Sequence, residues 1–286
     1  MLIASDGALS GDWFASDGIN ELGDVINAEA CEGLLMAIRG RIHQEELFLD
    51  EREFDKSAQY RGVNPKPGMN LLEEYDTRDL LSQPVLEALD ETLGKDWRIL
   101  DRKVVCGVPD NWLPEWVRER VEQMPVPNLG AYVRPKYRHT TYFHGIDWHQ
   151  DIIDWPGRPA DFVTLYVYLH DVGPAECPLN VLPGSHLGGA KQFPHDVGEY
   201  RHSWQWTDPA GSVALWHPFL MHGTRPNLTD NPRYSLRYLI RSTDMTKPHA
   251  LNRANARIKG AMKLDHTRRD LAADGSAQIR GNALAS

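Results

Sequence analysis

Apolar positions in the first hundred residues recur at helical spacing, and beyond them the pattern shortens into strand-like runs. Cys31, Leu34, Leu35, Ile38 and Ile42 fall at i, i+3, i+4, i+7 and i+11. That spacing predicts an amphipathic helix with Asn27 as its cap, weakened by Gly33 and Gly40. Val85, Leu86, Leu89 and Leu93 share one face of a second helix, which Gly94 should stop. Between the two, the acidic stretch from Glu45 to Asp55 reads as a solvated surface. Residues 1 to about 25, rich in Gly, Ser and Asp, read as loosely ordered.

Past residue 100, Lys103–Val108, Leu129–Arg134, Thr140–Asp147, Phe162–Leu169, Ser212–His217 and Tyr234–Arg241 read as strands bounded by Pro, Gly, Asn and Asp. Phe162–Leu169 is nearly apolar throughout, as a strand covered on both faces would be. Many short strands joined by long loops predict a mainly β fold with flanking helices, a double-stranded β-helix of the jelly-roll, cupin-like kind. The expected layout is one domain over 1–286. Its helical N-terminal part covers about 25–100 and its jelly-roll core about 101–245. Residues 246–286 should hold a short helix and a frayed tail.

Composition narrows the partners. The net charge of −9 disfavours nucleic acid and anionic membrane surfaces. Cys31, Cys106 and Cys177 cannot complete a disulfide framework and read as reduced thiols, and no run approaches the length of a membrane span. The expectation is a cytoplasmic protein acting on a small molecule, without membrane or nucleic-acid partners and with its oligomeric state open.

The chemistry concentrates in His149-Gln150-Asp151, the distant His222, and Arg233 eleven positions after it. Two imidazoles and a carboxylate can hold one face of Fe(II) and leave open positions. In a strand, His149 and Asp151 would point to one side and Gln150 to the other. Taken alone, the pair could equally be polar residues at strand ends. Arg233 adds a cation that a metal does not need but a carboxylate does. If His222 ends one strand and Tyr234 opens the next, the arginine returns beside the histidine. His217 is a rival ligand, although strand parity turns it away from His222. His144 lies off the register of any acid, and His186 ends a Pro-Gly-Ser-His turn that reads as structural. Arg237 and Arg241 share parity with Arg233, so Arg237 is the second candidate for a cosubstrate carboxylate, or a group facing a substrate anion. Of the nine tryptophans, Trp148, Trp155, Trp204, Trp206 and Trp216 lie in this half, mostly as core.

The segments Trp148–Trp155, Pro178–His186, Gly211–Trp216 and His222–Asn227, together with Arg233, resemble the phytanoyl-CoA dioxygenase family of Fe(II)- and 2-oxoglutarate-dependent oxygenases. The resemblance covers roughly residues 80–245. It implies that His149, Asp151 and His222 bind iron and that Arg233 binds the distal carboxylate of 2-oxoglutarate. Thr224 stands where the family places a hydroxyl that assists this arginine. Trp155 is similar to an aromatic that ectoine-hydroxylase-like members place near the iron. The implied reaction consumes O2 and 2-oxoglutarate, releases succinate and CO2, and hydroxylates an unactivated C–H bond. Related halogenases replace the carboxylate ligand with a small residue, so Asp151 argues against halogenation. Desaturation, epoxidation and cyclisation stay open, as does a non-catalytic jelly-roll protein that merely retains a metal.

Overall fold

The computed structural model describes residues 12–57, 71–72, 75–77, 80–122, 128–155, 157–193 and 203–264. Among these residues ten strands form two sheets: β1 (Ile19–Asp24), β2 (Trp97–Gly107), β3 (Thr141–Phe143), β4 (Ile146–His149), β5 (Phe162–Tyr168), β6 (Leu179–Leu182), β7 (Trp204–Trp206), β8 (Ser212–Trp216), β9 (Met221–Thr224) and β10 (Arg233–Ser242). The larger sheet runs β1-β8-β5-β10-β2-β3 and the smaller β4-β9-β6-β7. All pairings are antiparallel except β2 with β3.

Side-chain alternation explains the layering. Val163, Leu165 and Val167 of β5 pack with Leu34, Leu35, Ile38, Val85 and Leu89 of the helices. The intervening Tyr166 and Tyr168 meet Leu179, Val181 and Trp206 of the smaller sheet. Helices thus cover one face of the large sheet and the small sheet covers the other. This is why β5 carries no exposed position, and why its sequence is nearly all apolar. The architecture is the expected mainly β double-stranded β-helix with flanking helices.

Both predicted helices form. Helix Ala28–Arg39 is capped by Asn27, whose side chain accepts from the Glu29 amide, and it buries Cys31, Leu34, Leu35 and Ile38. Helix Gln83–Leu93 stops at Gly94, whose φ of 78° lies in the left-handed region. The acidic stretch is more structured than its charge suggests. Its carboxylates face outward, but Leu47, Phe48, Leu49 and Phe54 are buried around two short helices, Gln44–Leu47 and Glu51–Ser57.

Three expectations need correction. Residues 12–24 are ordered, because helix Asp12–Asp17 leads into β1, which pairs with β8 along the sheet edge. Leu129–Arg134 is not a strand: Asn128 accepts from the Gly130 amide and winds Leu129–Ala131 into a 3-10 turn, leaving one bridge from Val133 to Phe48. Thr140–Asp147 is two strands in two sheets. Gly145, at φ 73°, turns the chain, and a Cβ there would press on Pro226 at 3.2 Å. That turn sends β4 to the edge of the small sheet and so places His149. Helix Ala250–Arg257 follows the barrel as expected, while the expected tail lies outside the described residues.

Candidate metal centre

Two strands and one turn bring the triad together. His149 closes β4 and stands directly opposite His222 of β9 in the antiparallel register. Asp151 opens a 3-10 turn, Asp151–Asp154, rather than continuing the strand. The link between them, Gln150, is still extended (φ −119°, ψ 142°), so the alternation of faces survives. The Gln150 amide points away, donating to the carbonyls of Gly189 and Phe219 and accepting from the Lys191 amide. One ligand atom from each of His149, Asp151 and His222 lies within 4.8 Å of the others.

The hydrogen bonds orient these groups toward a cation. Nδ1 of His149 is 2.9 Å from the Asp147 carbonyl and Nδ1 of His222 is 3.0 Å from the Leu220 carbonyl. Each Nδ1–H therefore donates, which leaves both Nε2 lone pairs for a metal. Burial pushes the His149 pKa down to about 3, helped by neighbouring His222, and lowers that of His222 as well. Both imidazoles are neutral donors at physiological pH. Burial alone would raise the Asp151 carboxyl, but the Arg237 guanidinium, with help from the Thr164 hydrogen bond, outweighs it and holds it below the usual carboxylate range. Its Oδ2 accepts from Thr164 Oγ1 at 2.5 Å and from Trp216 Nε1 at 2.8 Å. Two neutral nitrogens and one ionised oxygen, buried and held from behind, fit Fe(II).

Trp216→Phe tests this support, because it keeps an aromatic ring and deletes one donor. Losing such a supporting hydrogen bond costs about 10–100-fold in metal affinity. Fe(II) titration followed by calorimetry should show that loss with the fold intact, and an unchanged affinity would remove Trp216 from the supporting role.

Arg233, the first residue of β10, is 1% exposed. Its Nη1 donates to Tyr166 Oη and Ser235 Oγ, each at 2.7 Å, and its Nε to Cys177 Sγ at 3.4 Å. None of the three partners is a carboxylate. Among the described residues no carboxylate comes within ion-pair distance of this cation. A buried guanidinium with no carboxylate beside it is chemically suited to an anion, since an unpaired charge in the interior is strongly unfavourable. Gly107 makes room for it: a Cβ there would lie 2.3 Å from Cys177 Sγ and 3.2 Å from Arg233 Nε.

The other candidates separate. Thr224 shares the His222 face of β9, but no hydrogen bond joins it to Arg233; it lines a cleft of about 480 Å³ with Asp110, His144, Ile146 and Asp147. Trp155 packs against the apolar cluster of Phe162, Phe193 and Leu239, with the Arg158 guanidinium 5.3 Å over its ring. In that cluster, Phe193 stands edge-on to His149 at 6.5 Å. His217 does not share a strand with His222, since a turn separates β8 from β9; its ring packs at a tilt against buried His186 and pairs with Asn255. His144 lies 3.4 Å from Asp110, away from the triad. Arg237 reaches the metal centre itself, with Nη2 3.1 Å from Asp151 Oδ1.

Several contributing residues were readable only in part. Thr164 and Tyr166 share inward parity on β5, and Ser235 follows Arg233 by two on β10, so the period-two rule reaches them once the strands are known. Cys177 sits in a loop at φ 44° and leaves no periodic signal.

The model of the phytanoyl-CoA dioxygenase family matches residues 14–235. The chain belongs to this family. The match begins well before residue 80, so it takes in the helical N-terminal part that lies outside the roughly 80–245 covered by the sequence resemblance. Over 100 residues the chain is 32% identical to a probable alpha-ketoglutarate-dependent hypophosphite dioxygenase of Stutzerimonas stutzeri, covering 29% of this chain and 34% of that protein. That alignment therefore spans only about a third of the relative. Over 261 residues it is 25% identical to the ectoine dioxygenase of Nocardia farcinica, covering 75% of this chain and 83% of the relative. Among solved structures, the non-haem alpha-ketoglutarate-dependent carbocyclase SnoK from nogalamycin biosynthesis superposes with a TM-score of 0.54 at 12% identity. The superposition covers 92% of this chain and 94% of SnoK, a likeness of fold. This family member is an Fe(II)- and 2-oxoglutarate-dependent dioxygenase. No helix among its described residues is long and apolar enough to cross a membrane.

Proposed function

We propose that the protein hydroxylates an unactivated C–H bond of a small or medium organic molecule, using Fe(II) held by His149, Asp151 and His222. The observation that carries this reading is the pairing of a neutral-imidazole, ionised-carboxylate triad with Arg233, a buried cation lacking an acid partner among the described residues. A metal kept for structure needs no such cation, which weighs against a non-catalytic binding protein. When bound, iron and its cosubstrate supply the oxidant, with 2-oxoglutarate and O2 giving succinate, CO2 and one oxygen atom for the substrate.

The chain's own groups have distinct tasks. His149 and His222 present Nε2 because their Nδ1 protons are committed to backbone carbonyls. Thr164 and Trp216 hold the Asp151 carboxylate in place. Arg233 takes the distal carboxylate of 2-oxoglutarate by a charge-assisted pair, with Tyr166, Ser235 and Cys177 fixing its guanidinium. Thr224 contributes a hydroxyl at the same end. Trp155 and Phe193 give the substrate side an apolar wall that keeps water from the reacting carbon. The presence of the Asp151 carboxylate favours oxygen insertion over halide transfer.

The deciding experiment supplies Fe(II), 2-oxoglutarate, air and a panel of small organic substrates, and measures succinate together with product mass. Succinate with a product heavier by one oxygen supports hydroxylation. A product lighter by two hydrogens replaces it with desaturation, and absent succinate sinks the oxygenase reading of this site.

Trp155→Ala separates a pocket role from a core role. A pocket wall lost here mispositions the carbon, so succinate still forms while less product appears. A plain core residue instead lowers the melting temperature, at a cost of about 3–5 kcal/mol, and leaves the product-to-succinate ratio alone. A variant with an unchanged ratio would withdraw Trp155 from the pocket.

A further inference from the structure

β10 presents Arg233, Ser235 and Arg237 in a single row toward the space between the sheets, where Arg233 meets Tyr166 and Arg237 meets Asp151. The two arginines differ in what surrounds them. Arg237 lies 3.1 Å from Asp151 Oδ1 and 3.6 Å from Asp154 Oδ2, with its side chain 14% exposed. Yet its Nε and Nη2 are shut off from solvent and make no hydrogen bond. The Asp151 contact meets the distance of an ion pair without the angle of a hydrogen bond.

None of the three acids around Arg237 fully occupies it. Asp151 belongs to the metal, and once it ligates a dication its charge is shared. Asp154 is 36% exposed, and an ion pair at such a surface is weak. Asp101, whose charge also reaches Arg237, is itself paired with Lys103 at 3.4 Å. What remains is a forked set of sealed donors in contact with a metal ligand, shaped for an oxyanion. The apolar cluster of Phe162, Phe193 and Leu239, with Trp155 against it, borders the same side of the centre and suits the carbon body that such an anion would carry.

We propose that Arg237 is a substrate-recognition residue that binds the anionic group of an organic acid, a carboxylate or phosphonate, beside the metal centre. The inference rests on the oxygenase reading above and names its substrate class: small organic acids with an apolar body. The 1-carboxylate of 2-oxoglutarate has the same chemistry, and the experiment separates the two sources.

Parent, Arg237→Gln and Arg237→Lys proteins are compared in two anaerobic arms. The first follows 2-oxoglutarate binding to the Fe(II)-loaded protein through its visible charge-transfer band. The second titrates the loaded protein with hexanoate, hexylphosphonate and uncharged hexanamide by intrinsic tryptophan fluorescence. The parent should bind the two anions at least about tenfold more tightly than the amide, as a charge-assisted pair requires. Arg237→Gln should erase that preference, Arg237→Lys should keep part of it, and 2-oxoglutarate affinity should move by less than about threefold. A parent without anion preference, or a preference that survives in Arg237→Gln, overturns the proposal and leaves Arg237 as a strut for Asp151 and Asp154. Arg237→Gln weakening 2-oxoglutarate by about tenfold or more overturns it in favour of a cosubstrate contact. Failure of the underlying oxygenase reading looks different: the parent then shows no charge-transfer band and forms no succinate under air.

Discussion

Asp151→Ala and His222→Ala are expected to abolish substrate oxidation, the largest effect any single change in this protein should produce. Each removes one of three protein ligands, so iron binds weakly and the remaining coordination positions are no longer those the site was built to leave open. Under anaerobic conditions with 2-oxoglutarate, the parent should show a visible charge-transfer band on Fe(II) addition and neither variant should. The two variants should differ in stability. Asp151→Ala strands the donors of Thr164 and Trp216 and deprives Arg237 of its nearest acid. Each buried donor left unpaired costs about 1–3 kcal/mol. His222→Ala strands only the Leu220 carbonyl, so it should melt higher than Asp151→Ala. Parental oxidation rates in both variants would show that the metal is held elsewhere.

Arg233→Ala should act on the cosubstrate. A hydrogen bond to a charged group contributes about 1.5–3 kcal/mol, which corresponds to roughly one to two decades in affinity for 2-oxoglutarate. The effect should appear mainly as a raised concentration requirement, with excess 2-oxoglutarate recovering much of the rate. Thr224→Val should cost less, about 0.5–1.5 kcal/mol for a single neutral hydrogen bond. Measured 2-oxoglutarate dissociation constants for the three proteins decide it. Were Arg237→Ala to weaken 2-oxoglutarate while Arg233→Ala did not, the anchor would sit four residues further along β10.

The triad was readable because its spacing carries physical content. Alternation along an extended chain explains why His149 and Asp151 converge while Gln150 turns to Gly189 and Phe219, even though β4 ends at His149. β5 was readable because a strand buried on both faces must be apolar over its length, and β10 because Tyr234, Leu236, Tyr238 and Ile240 alternate with Arg233, Ser235 and Arg237. β6, β7 and β9 were not read as strands. Each spans only three or four residues, too short for a period to show, and Met221-His-Gly-Thr224 has little apolar content. The division of Thr140–Asp147 turns on the backbone of one residue, Gly145, and hydrophobic pattern does not record that. The Thr164 and Trp216 contacts to Asp151 depend on which strands become neighbours, and that information lies in the topology.

β10 is hydrogen-bonded on both sides, to β5 and to β2, through most of its length. Its backbone cannot slide, so if Arg233 holds the cosubstrate and Arg237 the acid, the interval between them is a ruler of fixed length. A molecule held by its charged end is oxidised at a carbon counted from that end. Lengthening its tail should therefore change how tightly it binds but not which carbon is attacked, and a homologous series of acids would be hydroxylated at a constant offset from the anion.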